Sequence, residues 1–188
     1  DMEMDQMVVH RLDMDTSGVI VYALSKQALS KLHDDFRNRR VYKQYSALLM
    51  GHIQLPEVEI DVALERDPHH APFMRIAQPR IDSHNNKFLD AAPKQSRTEL
   101  HVDQRTFLLP DRRPVTRVTL LPHTVRTHQL RVHTAALGFP IVGDTIYGDD
   151  CGEVVRQSSN SASLDLPLCL HAHKLALIHP ISGAPMLF

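Results

Sequence analysis

Segments with a two-residue apolar period outnumber segments with a helical period in this chain, and the two kinds do not alternate. That ordering restricts the fold more than any other property of the sequence. Val58-Glu59-Ile60-Asp61-Val62-Ala63-Leu64 is the cleanest case, apolar residues alternating with acidic or small ones, which predicts a half-buried strand. Val41 to Met50, closed by Gly51, has the same period, with Val41, Lys43, Tyr45, Ala47 and Leu49 on a common face. Thr98 to Val102, Thr106 to Leu109 and Val115 to Leu121 are further strand candidates, the last two separated by the turn-forming Asp111-Arg112-Arg113-Pro114. Leu168 to His179 and Pro185 to Phe188, joined through Ser182-Gly183, predict a terminal hairpin. The run Val19-Ile20-Val21-Tyr22-Ala23-Leu24 is nearly all apolar and predicts a short strand covered on both faces.

Two helices stand out. From Lys26 to about Arg39, Leu29, Leu32 and Phe36 recur at three- and four-residue spacing behind Ser25, a predicted N-cap, and Arg37, Arg39 and Arg40 complement the dipole at the far end. The second is predicted to start near Thr127 and end at Leu137, with Gly138 in the left-handed stop position and Pro140 shortly after. Many strands with two helices outside a βαβ pattern define an α+β fold, a mixed and largely antiparallel sheet with a few flanking helices. Arg66 to Gln95 and the Ser-rich Gly152 to Asp165 keep neither period and predict a long insertion and a loop.

At 188 residues the chain is expected to be one domain, 1–188, able to bury about two-thirds of its unfolded surface. It begins at Asp1 and stops at Phe188 inside a strand pattern, as expected of a piece trimmed at both ends. Cys151 and Cys169 are far apart and form no metal-binding pair, which fits a reducing compartment. No apolar run reaches the length of a membrane span and no secretory leader is visible, so no membrane partner and a cytoplasmic location are expected, an organellar one if a leader was lost. A net charge of -1 excludes binding of a polyanion through bulk electrostatics, so any nucleic-acid site must be a local basic surface.

His10-Arg11-Leu12-Asp13-Met14-Asp15-Thr16-Ser17-Gly18 resembles the H-R-L-D-x-x-T-S-G motif of the RluA-type RNA pseudouridine synthases. Three more segments match that family in order. They are Lys43-Gln44-Tyr45-Ser46-Ala47 ending at Gly51, Arg126-Thr127-His128-Gln129-Leu130-Arg131-Val132-His133 running on to Gly143-Asp144, and Leu170-His171-Ala172 leading to His179-Pro180. The resemblance implies the pseudouridine synthase fold with a central catalytic cleft, and isomerisation of uridine in structured RNA, a ribosomal or transfer RNA stem-loop, with no metal or organic cofactor; a monomer is the simpler expectation for an enzyme that must wrap an RNA loop.

The reaction breaks the N1 glycosidic bond, rotates the uracil and rejoins it through C5. By resemblance Asp13 is the catalytic carboxylate; addition to C6, addition to C1′ and a glycal route all stay open. A guanidinium can keep such a carboxylate ionised in a water-poor pocket, and the resemblance assigns that part to Arg131. Tyr45 is implied to stack on the extruded base and to take part in proton transfer from C5. Leu168 and Leu170 would form the apolar floor beneath the base, and Arg11 would hold the displaced backbone. Arg37, Arg39, Arg40, Lys43, Arg126 and His128 are candidate RNA contacts from local charge.

Each residue also has a plainer reading. Asp13 alone is a polar residue entering a turn, Tyr45 a half-buried strand residue, Arg131 a solvated charge, Arg11 a structural ion-pair partner, and the Arg37 to Arg40 cluster a solvated helix end. His171 and His173 share one face of a strand, the spacing of a metal pair, which sets metal-dependent hydrolysis as a competing class. Val125 stands where the family has Gly. If that position needs a positive φ or close backbone approach, Val125 costs ~1–2 kcal/mol and favours a non-catalytic RNA-binding relative.

Overall fold

The computed structural model describes residues 7–68, 70, 72–78, 92–148 and 166–188. The predicted loop Gly152 to Asp165, Cys151 and the middle of the predicted insertion lie outside them. The chain groups into two compact units, Asp1–Ser46 with Leu170–Phe188, and Ala47–Cys169.

In the first unit β1 (Ser17–Gly18) runs parallel to β7 (Leu170–Ile178), with Ser17 opposite His171 and Gly18 opposite Ala172. β8 (Pro185–Leu187) pairs antiparallel with the far half of β7, the predicted terminal hairpin. On its other side β7 neighbours β2 (Tyr42–Met50), which runs on into the second unit. Helix α1 (Lys26–Arg37) starts where Ala28 N–H donates to Ser25 Oγ at 3.2 Å. It turns Ala28 and Leu32 into a core with Val9, Ala23, Val41, Leu175 and Leu177. Arg39, at φ 57°, ends it in the left-handed region.

The predicted strand from Val19 to Leu24 is a correction. Only Ser17–Gly18 and an isolated bridge from Tyr22 to Val8 have strand pairing there. Leu24 is 87% exposed and Ile20 40% exposed, while Ala23 is buried. The run is apolar without being covered on both faces, because β7 pairs only with its start.

In the second unit β3 (Glu57–Arg66), β4 (Met74–Ile76), β5 (Lys94–Leu108) and β6 (Arg113–Pro122) lie in the order β6-β5-β3-β4, all antiparallel. Two predicted strands, Thr98 to Val102 and Thr106 to Leu109, are one strand with a register shift between Val102 and Gln104. A bulge adds one residue and bends a strand without ending it, so the broken period at residues 103–105 suggested a gap. Met74–Ile76 pairs with β3 inside the segment read as an insertion. Helix α2 (Gln129–Ala136) begins two residues later than predicted, and Gly138, at φ 82°, closes it. Val132 and Ala135 pack with Leu64 and Tyr147, and Phe73, Met74, Ile76 and Ile146 border them.

Candidate active site

The Asp13 loop is a turn forced by its own residues. Thr16 N–H donates to the Asp13 carbonyl at 3.0 Å, and Asp15 takes φ 68°, which aspartate tolerates better than most side chains. The chain then enters β1, where Gly18 has φ 122° and lies so close to Ala172 that any Cβ would strike that residue's backbone. Val19 N–H donates to the Ala172 carbonyl at 2.9 Å, and Ser17 Oγ lies 2.9 Å from His171 Nδ1. These bonds fix the loop's downstream end. Upstream, Val21 N–H donates to His10 Nε2 at 3.1 Å and the His10 ring stacks on Phe36 at 4.8 Å. Asp13 is half-buried between these anchors and Arg11 is exposed.

Tyr45 projects from β2, half-buried, on the face shared with Lys43. Burial pushes its hydroxyl up to about 12, and the Asp13 charge adds to the shift. Tyr45 is therefore a neutral phenol at physiological pH, an O–H donor and not a resident base. Lys43 is lowered to about 8, by burial first and then by the Arg39 charge. His10 is lowered by burial and by Lys43, so it stays a neutral acceptor for Val21 N–H.

In the second unit the motif around α2 builds a buried charge cluster. Arg131 donates Nε to Asp144 Oδ2 and Nη2 to Asp144 Oδ1, both at 2.7 Å, a bidentate pair with side chains 4% and 0% exposed. Asp144 Oδ1 also accepts from Ile146 and Tyr147 N–H, both at 2.9 Å. Burial acts to raise the Asp144 carboxyl, but the Arg131 and backbone hydrogen bonds outweigh it and hold it below its usual range. The guanidinium stands 5.3 Å from the centre of the Tyr147 ring, and the Tyr147 hydroxyl lies 2.8 Å from His128 Nδ1. His128, at φ 52°, is the left-handed residue from which α2 starts.

Two buried polar residues lock α2 to the sheet. Gln129 Nε2 donates to the Arg97 carbonyl and to Thr98 Oγ1, each at 3.0 Å, and its Oε1 accepts from Thr124 Oγ1 at 2.8 Å. His133, fully buried, lies 2.8 Å from Ser96 Oγ and 2.9 Å from Thr98 Oγ1. Burial drives His133 down to about 4, with Asp61 opposing weakly.

The structure thus places Asp13 and Tyr45 within one unit and Arg131, Arg126 and His128 within the other. Leu168 and Leu170 are both buried. Asp144 has no role readable from its motif alone; its signal in the sequence is a lone acid after Gly143 in a segment otherwise built for burial. His171 and His173 are exposed with ring centres 6.2 Å apart. Among the described residues no three His, Cys, Asp or Glu side chains gather as a metal-ligand set. Arg37 pairs with Asp34 and Arg40 with Asp35, each at 2.7 Å, so two members of the basic helix end already have acidic neighbours. Val125 does not have a positive φ and is 56% exposed, so the backbone strain conceivable for it is absent.

The described residues form a mixed, mostly antiparallel sheet with two helices, an α+β fold that carries a half-buried aspartate in a tight loop and a neutral tyrosine on β2. The comparisons give the particular family: the chain belongs to the RNA pseudouridylate synthases, whose family match covers residues 3–136, and within them it is of the RluA type. It is 38% identical over 179 residues to the dual-specificity RNA pseudouridine synthase RluA of Haemophilus influenzae, a span of 95% of this chain and 70% of that one. The solved structure of human RNA pseudouridylate synthase domain-containing 1 superimposes with a TM-score of 0.74 at 36% identity, over 96% of this chain and 66% of that one. Human RNA pseudouridylate synthase domain-containing 4 shares the fold, with a TM-score of 0.71 at 24% identity over 96% of this chain and 69% of that one. The reaction class is isomerisation of uridine in RNA. No described helix is long and apolar enough to cross a membrane.

Proposed function

We propose that this chain makes pseudouridine in a stem-loop of ribosomal or transfer RNA, with Asp13 as the catalytic carboxylate and Tyr45 stacked on the extruded uracil. The observation that carries the reading is the pairing of those two residues in one unit, where the Asp13 charge reaches the Tyr45 hydroxyl. The N1–C1′ bond breaks, the C5–C1′ bond forms, the proton on C5 leaves to solvent and N1 gains one. A protonated Tyr45 supplies ring area and an O–H donor in that pocket. Extrusion costs a few kcal/mol of stacking, which the exposed Arg11 beside the catalytic loop is suited to offset.

The family motif gives Arg131 the part of partner to the catalytic carboxylate. In the structure its Nε and Nη2 are committed to Asp144, a bidentate bond that fixes the guanidinium plane within the second unit. We take the enzyme to work as a monomer in the cytoplasm, where transfer and ribosomal RNA precursors are met, and to treat 1–188 as one catalytic domain. Relatives bearing the dual-specificity name favour a stem-loop common to more than one RNA class.

The test is tritium release to water from unmodified transfer and ribosomal RNA labelled at uracil C5, for the wild-type protein and Asp13→Asn. Release by the wild type and a loss of ~10³-fold or more in the variant are expected. Equal release by both proteins would remove Asp13 from the chemistry.

A further inference from the structure

The second unit holds a small notch, about 220 Å³, apart from the Arg131–Asp144 cluster, lined among others by Arg66, Lys94, Arg126 and Thr127. Its construction follows from strand register. Lys94 lies opposite Leu64 at the start of the β3–β5 pairing, and Arg66, two residues beyond Leu64, shares its face and pairs with Met74 of β4. Leu64 is buried in the core, whereas Arg66 and Lys94 stand past the core's edge and are exposed. The segment before α2 brings Arg126 to the same place.

Arg126 is held by neutral groups. Its Nη1 donates to the Val125 carbonyl and its Nη2 to the Gln95 carbonyl, each at 3.1 Å, and its Nε is buried without a hydrogen-bond partner. Carbonyl oxygens orient a guanidinium without cancelling its charge. Among the described residues none of Arg66, Lys94 and Arg126 has a carboxylate partner, in a chain where Arg37, Arg40, Arg75, Arg97, Arg113 and Arg131 all do. Among the described residues that line the notch the one acid, Glu65, is committed to Arg75 at 2.8 Å. Three cations with no carboxylate partner among the described residues, around a polar notch on a chain of net charge -1, form a local anion site of the kind that RNA binding by a near-neutral protein requires.

We propose that Arg66, Lys94 and Arg126 form a phosphate-binding notch that takes a backbone phosphate of the RNA substrate. The proposal rests on RNA being the substrate, and not on which residues perform the isomerisation. The notch positions RNA without reading its sequence, because it offers charge and an exposed Thr127 hydroxyl to a group that every nucleotide carries.

The test compares the salt dependence of binding to unmodified transfer RNA for the wild type, the double variant Arg66→Gln/Lys94→Gln, and a charge-matched control, Lys26→Gln/Lys31→Gln, on exposed positions of α1. Neither notch position is buried, and thermal melts check that all three proteins fold alike. The notch variant is expected to bind about tenfold more weakly near 0.1 M salt, with a log–log salt slope shallower by about one. In turnover assays the loss should fall on KM and not on kcat, while the control follows the wild type. Equal affinity and slope in the notch and control variants would overturn the proposal. So would inhibition of the wild type by inorganic phosphate at matched ionic strength with no change of slope in the notch variant, which would assign the notch to a small anion. The catalytic reading fails separately: Asp13→Asn should lose tritium release while keeping the wild-type slope.

Discussion

Asp144 decides the electrostatics of the second unit although it touches no predicted substrate. It neutralises Arg131 where neither side chain meets water, and it ties the guanidinium to the turn at Ile146 and Tyr147. Breaking a buried pair costs more than the pair contributes, because the remaining charge stays in a medium that cannot solvate it. Asp144→Ala is therefore expected to lower stability by ~3–5 kcal/mol, read as a shift of the urea midpoint. Little change would mean that Arg131 finds water or another acid. Tyr45→Phe separates the two uses proposed for that ring. With the stacking face kept and the hydroxyl gone, RNA affinity should hold while kcat falls by ~10²-fold or more, measured by single-turnover tritium release. An unchanged kcat would leave Tyr45 only its ring. The Asp13 turn and the place of Tyr45 on a strand were legible in the sequence because their motifs are local; the Asp144 clamp was not, since it joins a helix to a loop thirteen residues on.

The contact of β1 with β7 is short, and its position depends on one residue. Gly18→Ala would drive a methyl into the Ala172 backbone from a φ that L-residues avoid, so the two strands must part or the Asp13 loop must move. A destabilisation of ~2 kcal/mol or more is expected, with a larger proportional loss of activity than of stability because the loop ends at that contact. Loss of stability alone, at unchanged kcat, would show the loop to be anchored elsewhere. The cap of α1 is a smaller effect: Ser25→Ala should cost about 1 kcal/mol by freeing the Ala28 N–H. Helix α1 was readable because spacing, cap and basic end agreed. The Val19 to Leu24 segment was misread because apolar composition reports a preference for burial, whereas the neighbours that cover a strand come from elsewhere in the chain.

Across the whole molecule, pH is the sharpest global test of the buried polar network. His133 has an ordinary value of 6.5 and is held down to about 4 by burial, so the unfolded chain takes up a proton that the folded one refuses. Its contribution is complete above 6.5, shrinks as pH falls, and by pH 4.5 amounts to a loss of about 3 kcal/mol. Asp144, held below the usual carboxylate range, loses its own contribution lower still, as pH falls through its depressed value. Urea titrations at pH 7.5, 6 and 4.5 should show that decline, and His133→Gln should flatten it between 6.5 and 4.5; an equally steep decline in the variant would shift the cause to other groups. The sequence by itself determined the class of fold, most of the elements and the family, because apolar period, caps, turns and ordered motifs are all written over short stretches of chain. Tertiary structure alone decided that Arg131 is clamped by Asp144, that His133 is neutral, that two predicted strands are one bent strand, and that Arg66, Lys94 and Arg126 share a notch. Each of those depends on which distant segments pack together and how far they exclude water, and neither distance nor dielectric is a property of a local sequence.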